Sequence, residues 1–129
     1  MTAVAAPRRT ASPAPASRNF ESAIDLVHLA RQTMDDPGLE FELLEMFDRQ
    51  SARLVAQLME TDGADRAAQA DLAHKLRGSA LALGARGVAK AAQALEDCCV
   101  CGGPDAERLG QALARAVAEA RAEIGRLTQ

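Results

Sequence analysis

The 129-residue chain carries 18 Asp and Glu against 15 Lys and Arg, a formal net charge of -3 at pH 7. Arg8, Arg9 and Arg18 fall in residues 1–20, which hold no acid, so the rest of the chain has 12 bases against 18 acids, and that balance excludes the basic footprint of a nucleic-acid binder. The composition is 48% hydrophobic with 29 alanines and no Trp or Tyr, which favours one all-α domain because Ala, Leu, Glu, Gln and Arg lose little freedom in a helix and strand formers are scarce.

Residues 1–19, MTAVAAPRRTASPAPASRN, hold three prolines and almost no large apolar side chain. Such a segment cannot bury enough surface to offset its ordering entropy, so a disordered basic tail is expected. No apolar stretch follows its arginines as a secretory signal requires, and no run in the chain approaches the roughly 20 apolar residues that span a bilayer. A cytoplasmic protein, without membrane or nucleic-acid partners, is the expectation.

From residue 20, FESAIDLVHLARQTM predicts a short helix with Ile24, Val27 or His28, and Arg31 spaced along it, broken by Asp35-Asp36-Pro37-Gly38. The next helix is predicted over 37–60, with Pro37 in its first turn and Leu43, Leu44, Phe47, Leu54 and Leu58 as its apolar stripe. Thr61-Asp62-Gly63 ends it. A third helix is expected over 64–83 and a fourth over 85–100, with Gly84 between them. Pro104 opens the last, whose stripe is Leu109, Leu113, Ala116 or Val117, Ala120, Ile124 and Leu127. Four long helices with short connections imply an antiparallel up-down four-helix bundle with a short extra N-terminal helix, over residues 20–129. Cys98, Cys99 and Cys101 are too few and too close for a disulfide framework and lack a fourth metal ligand nearby. They read as buried or half-buried thiols in a reducing compartment.

The third helix contains DLAHKLRGSALALG, in which a histidine, two cations and a glycine stand together. On a wheel at about 100° per residue, Leu72, Ala73, Leu76, Ala80 and Leu83 define the core face. His74 points roughly 150° away from the centre of that face, with Gly78 and Leu81 on its own side. Glycine costs a helix about 1 kcal/mol relative to alanine. Its position one turn beyond His74 suggests that a side chain there would crowd the imidazole and obstruct an approaching partner, so that the missing side chain gives access. Lys75 and Arg77 flank the histidine on the wheel, where they would compensate the charge of a phosphoryl group on the ring.

At these residues the sequence resembles the histidine-containing phosphotransfer (HPt) domains. His74-Lys75-Leu76-Arg77-Gly78 and Gly84 match that family's His-x-Leu-Lys-Gly and following glycine, with arginine in place of the usual lysine. Leu95-Glu96 falls where these domains often carry Leu-Glu, and Ile24-Asp25-Leu26 with Leu44 and Phe47 resembles their usual lead-in. The resemblance implies a carrier that takes a phosphoryl group from a receiver-domain phospho-aspartate and passes it to another receiver. His74 would be the nucleophile, through Nε2. Lys75 and Arg77 would offset phosphoryl charge, Gly78 would admit the partner, and Leu81 with Ala85 would form an apolar docking patch. It implies response-regulator receivers and a hybrid histidine kinase as partners, no cofactor or metal of its own, Mg²⁺ brought by the receiver, a monomeric state and no autonomous kinase activity.

Two other readings share these features. The phosphoacceptor helix of a sensor kinase usually follows its histidine with an acid and a Thr-Pro, whereas Lys75 and Gly78-Ser79 stand here, and no Gly-rich ATP-binding segment is present. A helical adaptor that binds receivers without phosphorylation would use the same exposed face. His28, near the Ile24 stripe and without a cation–glycine pattern, reads as a packing residue. The acid pairs Asp35-Asp36 and Glu96-Asp97 read as helix-end or solvated charges.

Overall fold

Aspartates open four of the five helices, and three of them cap by the same chemistry. In the computed structural model, which describes residues 22–129, the carboxylate of Asp25 accepts from the His28 amide, that of Asp36 from the Gly38 and Leu39 amides, and that of Asp65 from the Ala68 amide. Each cap satisfies backbone donors that a helix leaves without partners in its first turn. The helices that follow are α1 (Leu26–Thr33), α2 (Pro37–Glu60) and α3 (Arg66–Leu83). Two more complete the chain, α4 (Arg86–Cys101) and α5 (Ala106–Leu127), and the described residues contain no strand. The expected tail over 1–19 lies outside the described residues.

Left-handed residues end the helices where the chain must turn sharply. Met34, Gly84 and Gly102 take this role, at φ of 52°, 91° and 72°. Short loops then return each helix alongside the last. α3 packs on α2 and α4, and α5 packs on α4 and α2, so the four long helices close into a ring. Among the described residues no Cα of α3 comes within 8 Å of one in α5. Between α3 and α4 the side-chain pairs are Gln69 with Cys99, His74 with Glu96, and Arg77 with Gln93. The partner's number falls as α3 advances, as in two helices running in opposite directions.

The core is aliphatic. Leu76, Leu95, Leu113 and Ile124 are almost wholly buried, and alanines such as Ala73, Ala80, Ala92 and Ala120 fill the seams with Phe47 the one buried aromatic among the described residues. All five residues assigned to the core face of α3 are buried. Leu44, Phe47, Leu54 and Leu58 of the α2 stripe are buried and Leu43 is partly so. On α5, Leu113, Val117, Ala120 and Ile124 are buried, and Leu127 is exposed in the last turn.

The N-terminal helix is shorter than its periodicity suggests. Ile24 is buried ahead of it, Leu29 rather than Val27 is its core residue, and Val27 is exposed. Eight residues are too few to hold a helix alone. Its anchor is Gly84, whose carbonyl accepts from the Asp25 amide at 2.9 Å. A Cβ on Gly84 would stand 3.0 Å from the Asp25 carbonyl oxygen and 3.2 Å from His28 Cδ2, at a φ that side chains avoid. The glycine after the motif therefore caps α3 and seats α1 in one residue. His28 packs half-buried on that seat, as expected of it.

Candidate functional site

The core face of α3 fixes where the rest of the helix points. With Ala73 and Leu76 fully buried on either side, the His74 side chain stands outward and remains 60% exposed. Its Nδ1 lies 3.1 Å from Oε2 of Glu96 on α4. A carboxylate can only accept, so Nδ1 is the donor, and in the neutral ring Nε2 keeps its lone pair. The structure thus presents Nε2 as the nitrogen free to react.

Glu96 overturns the expectation of a solvated charge. Its side chain is 22% exposed and is shared between His74 and Arg77, whose Nε stands 3.8 Å from Glu96 Oε1. Asp97, its neighbour, accepts from Gln93 Nε2 at 2.8 Å. Helix periodicity places Glu96 on a polar face but does not say which side chain of α3 that face meets. The Leu95-Glu96 pair, noted above for its resemblance, was the one available signal.

The two cations do not stand alike. Lys75 is exposed and pairs with Asp71 one turn back at 3.2 Å, an i,i+4 pair worth a few tenths of a kcal/mol. The Arg77 side chain, 32% exposed, turns toward α4 and donates from Nη1 to Gln93 Oε1 at 2.6 Å. It flanks the imidazole on the Nδ1 side and not in solvent, as the wheel alone suggested.

Gly78 is exposed, and a Cβ built there meets nothing within 4 Å. Against expectation, a methyl group at this position would not crowd the imidazole. Leu81, 54% exposed, stands on the same face. Ala85 does not join it. The left-handed turn at Gly84 sends the chain inward, and Ala85 is fully buried in the core. Apolar surface is also found between α2 and α3. A cleft of about 160 Å³ opens between α2 and α3, lined by Leu43, Met46, Phe47, Ser79 and Ala82, with Gln50 accepting from the Ser79 hydroxyl at 3.1 Å. Met46 is 53% exposed, an apolar residue outside the α2 stripe that the sequence reading passed over.

The cysteines divide by depth, with Cys99 buried, Cys98 half-buried and Cys101 exposed, the last against expectation. Burial pushes the Cys99 thiol above its ordinary pKa, and its Sγ donates to Gln69 Oε1 at 3.5 Å. It is a packing thiol. No helix among the described residues is long and apolar enough to cross a membrane.

Comparison with known proteins gives a fold and a family. An X-ray structure of a rice protein, assigned as a histidine-containing phosphotransfer protein, is similar to this chain with a TM-score of 0.57 and 20% identity. The likeness covers 88% of this chain and 79% of that one and, at this identity, speaks for the fold. No curated protein matches the sequence. The family model of the Hpt domain matches residues 42–128, from the first turns of α2 to the end of α5. The chain therefore belongs to the Hpt domain family, the histidine phosphotransfer domains of phosphorelays.

Proposed function

We propose that His74 is the phosphoryl acceptor of this chain and that the group arrives from, and departs to, the aspartate of a response-regulator receiver domain. The Nε2 lone pair attacks phosphorus of the aspartyl phosphate. The acyl P–O bond breaks with its electron pair going to the receiver's carboxylate, and an Nε2–P bond forms. The Nδ1 proton stays where it is, so the ring becomes cationic beside Glu96. That carboxylate opposes the charge where it develops, as the orienting acid does beside a catalytic histidine. Transfer to a second receiver is the reverse.

Lys75 is the cation free to leave its exposed partner and meet the phosphoryl oxygens. Mg²⁺, expected with the receiver, would neutralise phosphoryl charge from the other side. Gly78 admits the receiver, while Leu81 and the α2–α3 cleft form the apolar surface it docks on. We read the four long helices as an antiparallel up-down bundle, the protein as a cytoplasmic monomer, and the chain as a carrier without kinase activity that is served by a hybrid histidine kinase.

One observation carries the assignment: the exposed ring donates through Nδ1 to Glu96 and turns a lone pair at Nε2 outward. The test is incubation with phosphorylated receiver domains, looking for acid-labile, base-stable label. His74→Gln is expected to lose the label completely, and ATP alone is expected to give none. Label persisting in His74→Gln would refute the assignment and turn attention to His28. An adaptor would keep its signalling function in that variant.

A further inference from the structure

Four polar side chains behind His74 connect in one line. Asp97 Oδ1 accepts from Gln93 Nε2 at 2.8 Å, and Gln93 Oε1 accepts from Arg77 Nη1 at 2.6 Å. Arg77 Nε then faces Glu96 Oε1 at 3.8 Å, and Glu96 Oε2 reaches His74 Nδ1 at 3.1 Å. Among the described residues neither Arg77 Nε nor Glu96 Oε1 has a hydrogen-bond partner, and both atoms are buried. Two orphaned groups of opposite charge face one another, short of contact by less than an ångström.

This arrangement dictates what the guanidinium can do. By accepting the Gln93 amide hydrogen, Asp97 turns the Gln93 carbonyl toward Arg77, and Gln93 in turn holds the guanidinium against α4. A guanidinium held there lies on the Nδ1 side of the imidazole, whereas a phosphoryl group on Nε2 would stand on the other side. What Arg77 Nε does face is the second oxygen of Glu96. A carboxylate with one oxygen on the ring has a matching charge facing the other and cannot rotate freely. Its hold on the Nδ1 proton follows from both.

We propose that Arg77 and Gln93 are positioning residues that act on His74 through Glu96, holding the ring in its Nδ1-protonated form, and that Arg77 is not a phosphoryl ligand. The proposal rests on His74 as the acceptor, but its first readout does not. In the full-length unphosphorylated protein, ¹⁵N NMR of the imidazole reports the tautomer directly. The Nδ1–H form is expected to dominate, and Arg77→Ala and Gln93→Leu are each expected to lower its share.

The second readout is single-turnover transfer from a phosphorylated receiver, with circular dichroism confirming the fold of every variant. Arg77→Ala and Gln93→Leu should each slow transfer about tenfold. In a Glu96→Ala background neither should slow it by more than about twofold further, because the residue they act through is gone. An unchanged tautomer in both variants overturns the proposal. So does an Arg77→Ala loss of equal size with and without Glu96, since Arg77 would then act on the phosphoryl group itself. Failure of the acceptor assignment shows separately, as label persisting in His74→Gln.

Discussion

At Gly78 the chain gives up local stability although no contact in the fold excludes a side chain there. Glycine inside a helix costs about 1 kcal/mol relative to alanine, and a Cβ there would touch nothing. Nothing in the fold therefore requires the glycine. On the proposed function the requirement would come from the receiver, one turn from the imidazole it approaches. Gly78→Ala should raise the unfolding free energy by about 1 kcal/mol in urea melts followed by circular dichroism. The same variant should slow phosphoryl transfer from a receiver by about tenfold, because the added methyl enters the space the partner's active site closes over. A more stable protein that transfers at the parental rate would show that the clearance has no use. Leu81 extends this surface by one turn, while Ala85, next along the sequence beyond the turn, is lost to the core. One residue in left-handed conformation separates them in effect, and such a turn redirects side chains in a way no helical wheel can represent.

Among the elements, α1 depends most on its neighbours. It is held by the Asp25–Gly84 backbone bond, by buried Ile24 and Leu29, and by the carboxylate of Asp25, which caps the helix and pairs with Arg86 at the start of α4. The hydrogen bond from the His28 amide, helped by Arg86, holds the Asp25 carboxyl below its ordinary value of 3.8. A carboxyl with a lowered folded-state pKa stabilises the fold fully above its unfolded value and loses that contribution as pH falls through the folded one. The docking of α1 should therefore weaken below 3.8 and not at neutral pH. Amide hydrogen exchange resolves this by element: protection of α1 amides should fall on acidification before that of the α3 core. Asp25→Asn keeps a good N-cap but cannot titrate, so it should show weaker α1 protection at neutral pH and no acid step of its own. An acid step in α1 that survives in the variant would assign it to another group.

At the scale of the whole molecule, the sequence already contained the helices and their inward faces but not how those faces meet. α2 spans Pro37–Glu60, as Pro37 and Thr61-Asp62-Gly63 led one to expect, and the core face of α3 is correct at all five positions. Periodicity reports a residue's direction relative to its own helix axis, so His74, Gly78 and Leu81 were legible. The register between helices depends on packing across the seam, so the Glu96 and Gln93 contacts were not. The four long helices nonetheless divide the work. α3 and α4 hold every side chain of the His74 network, and among the described residues the α5 backbone stays more than 8 Å, Cα to Cα, from that of α3. Leu113 of α5 is fully buried, as is Leu76, which lies two residues from the histidine. Truncating either to alanine should cost about 2–5 kcal/mol, against a typical total of about 5–15 kcal/mol, so both variants should remain folded at low temperature. Thermal melts must be read by far-UV circular dichroism, since the chain has no Trp or Tyr. Leu113→Ala should transfer within about twofold of the parental rate per folded molecule, whereas Leu76→Ala should lose about tenfold as the seat of the ring relaxes. Equal losses in the two would mean that the site depends on the whole ring of helices and not on the α3–α4 pair.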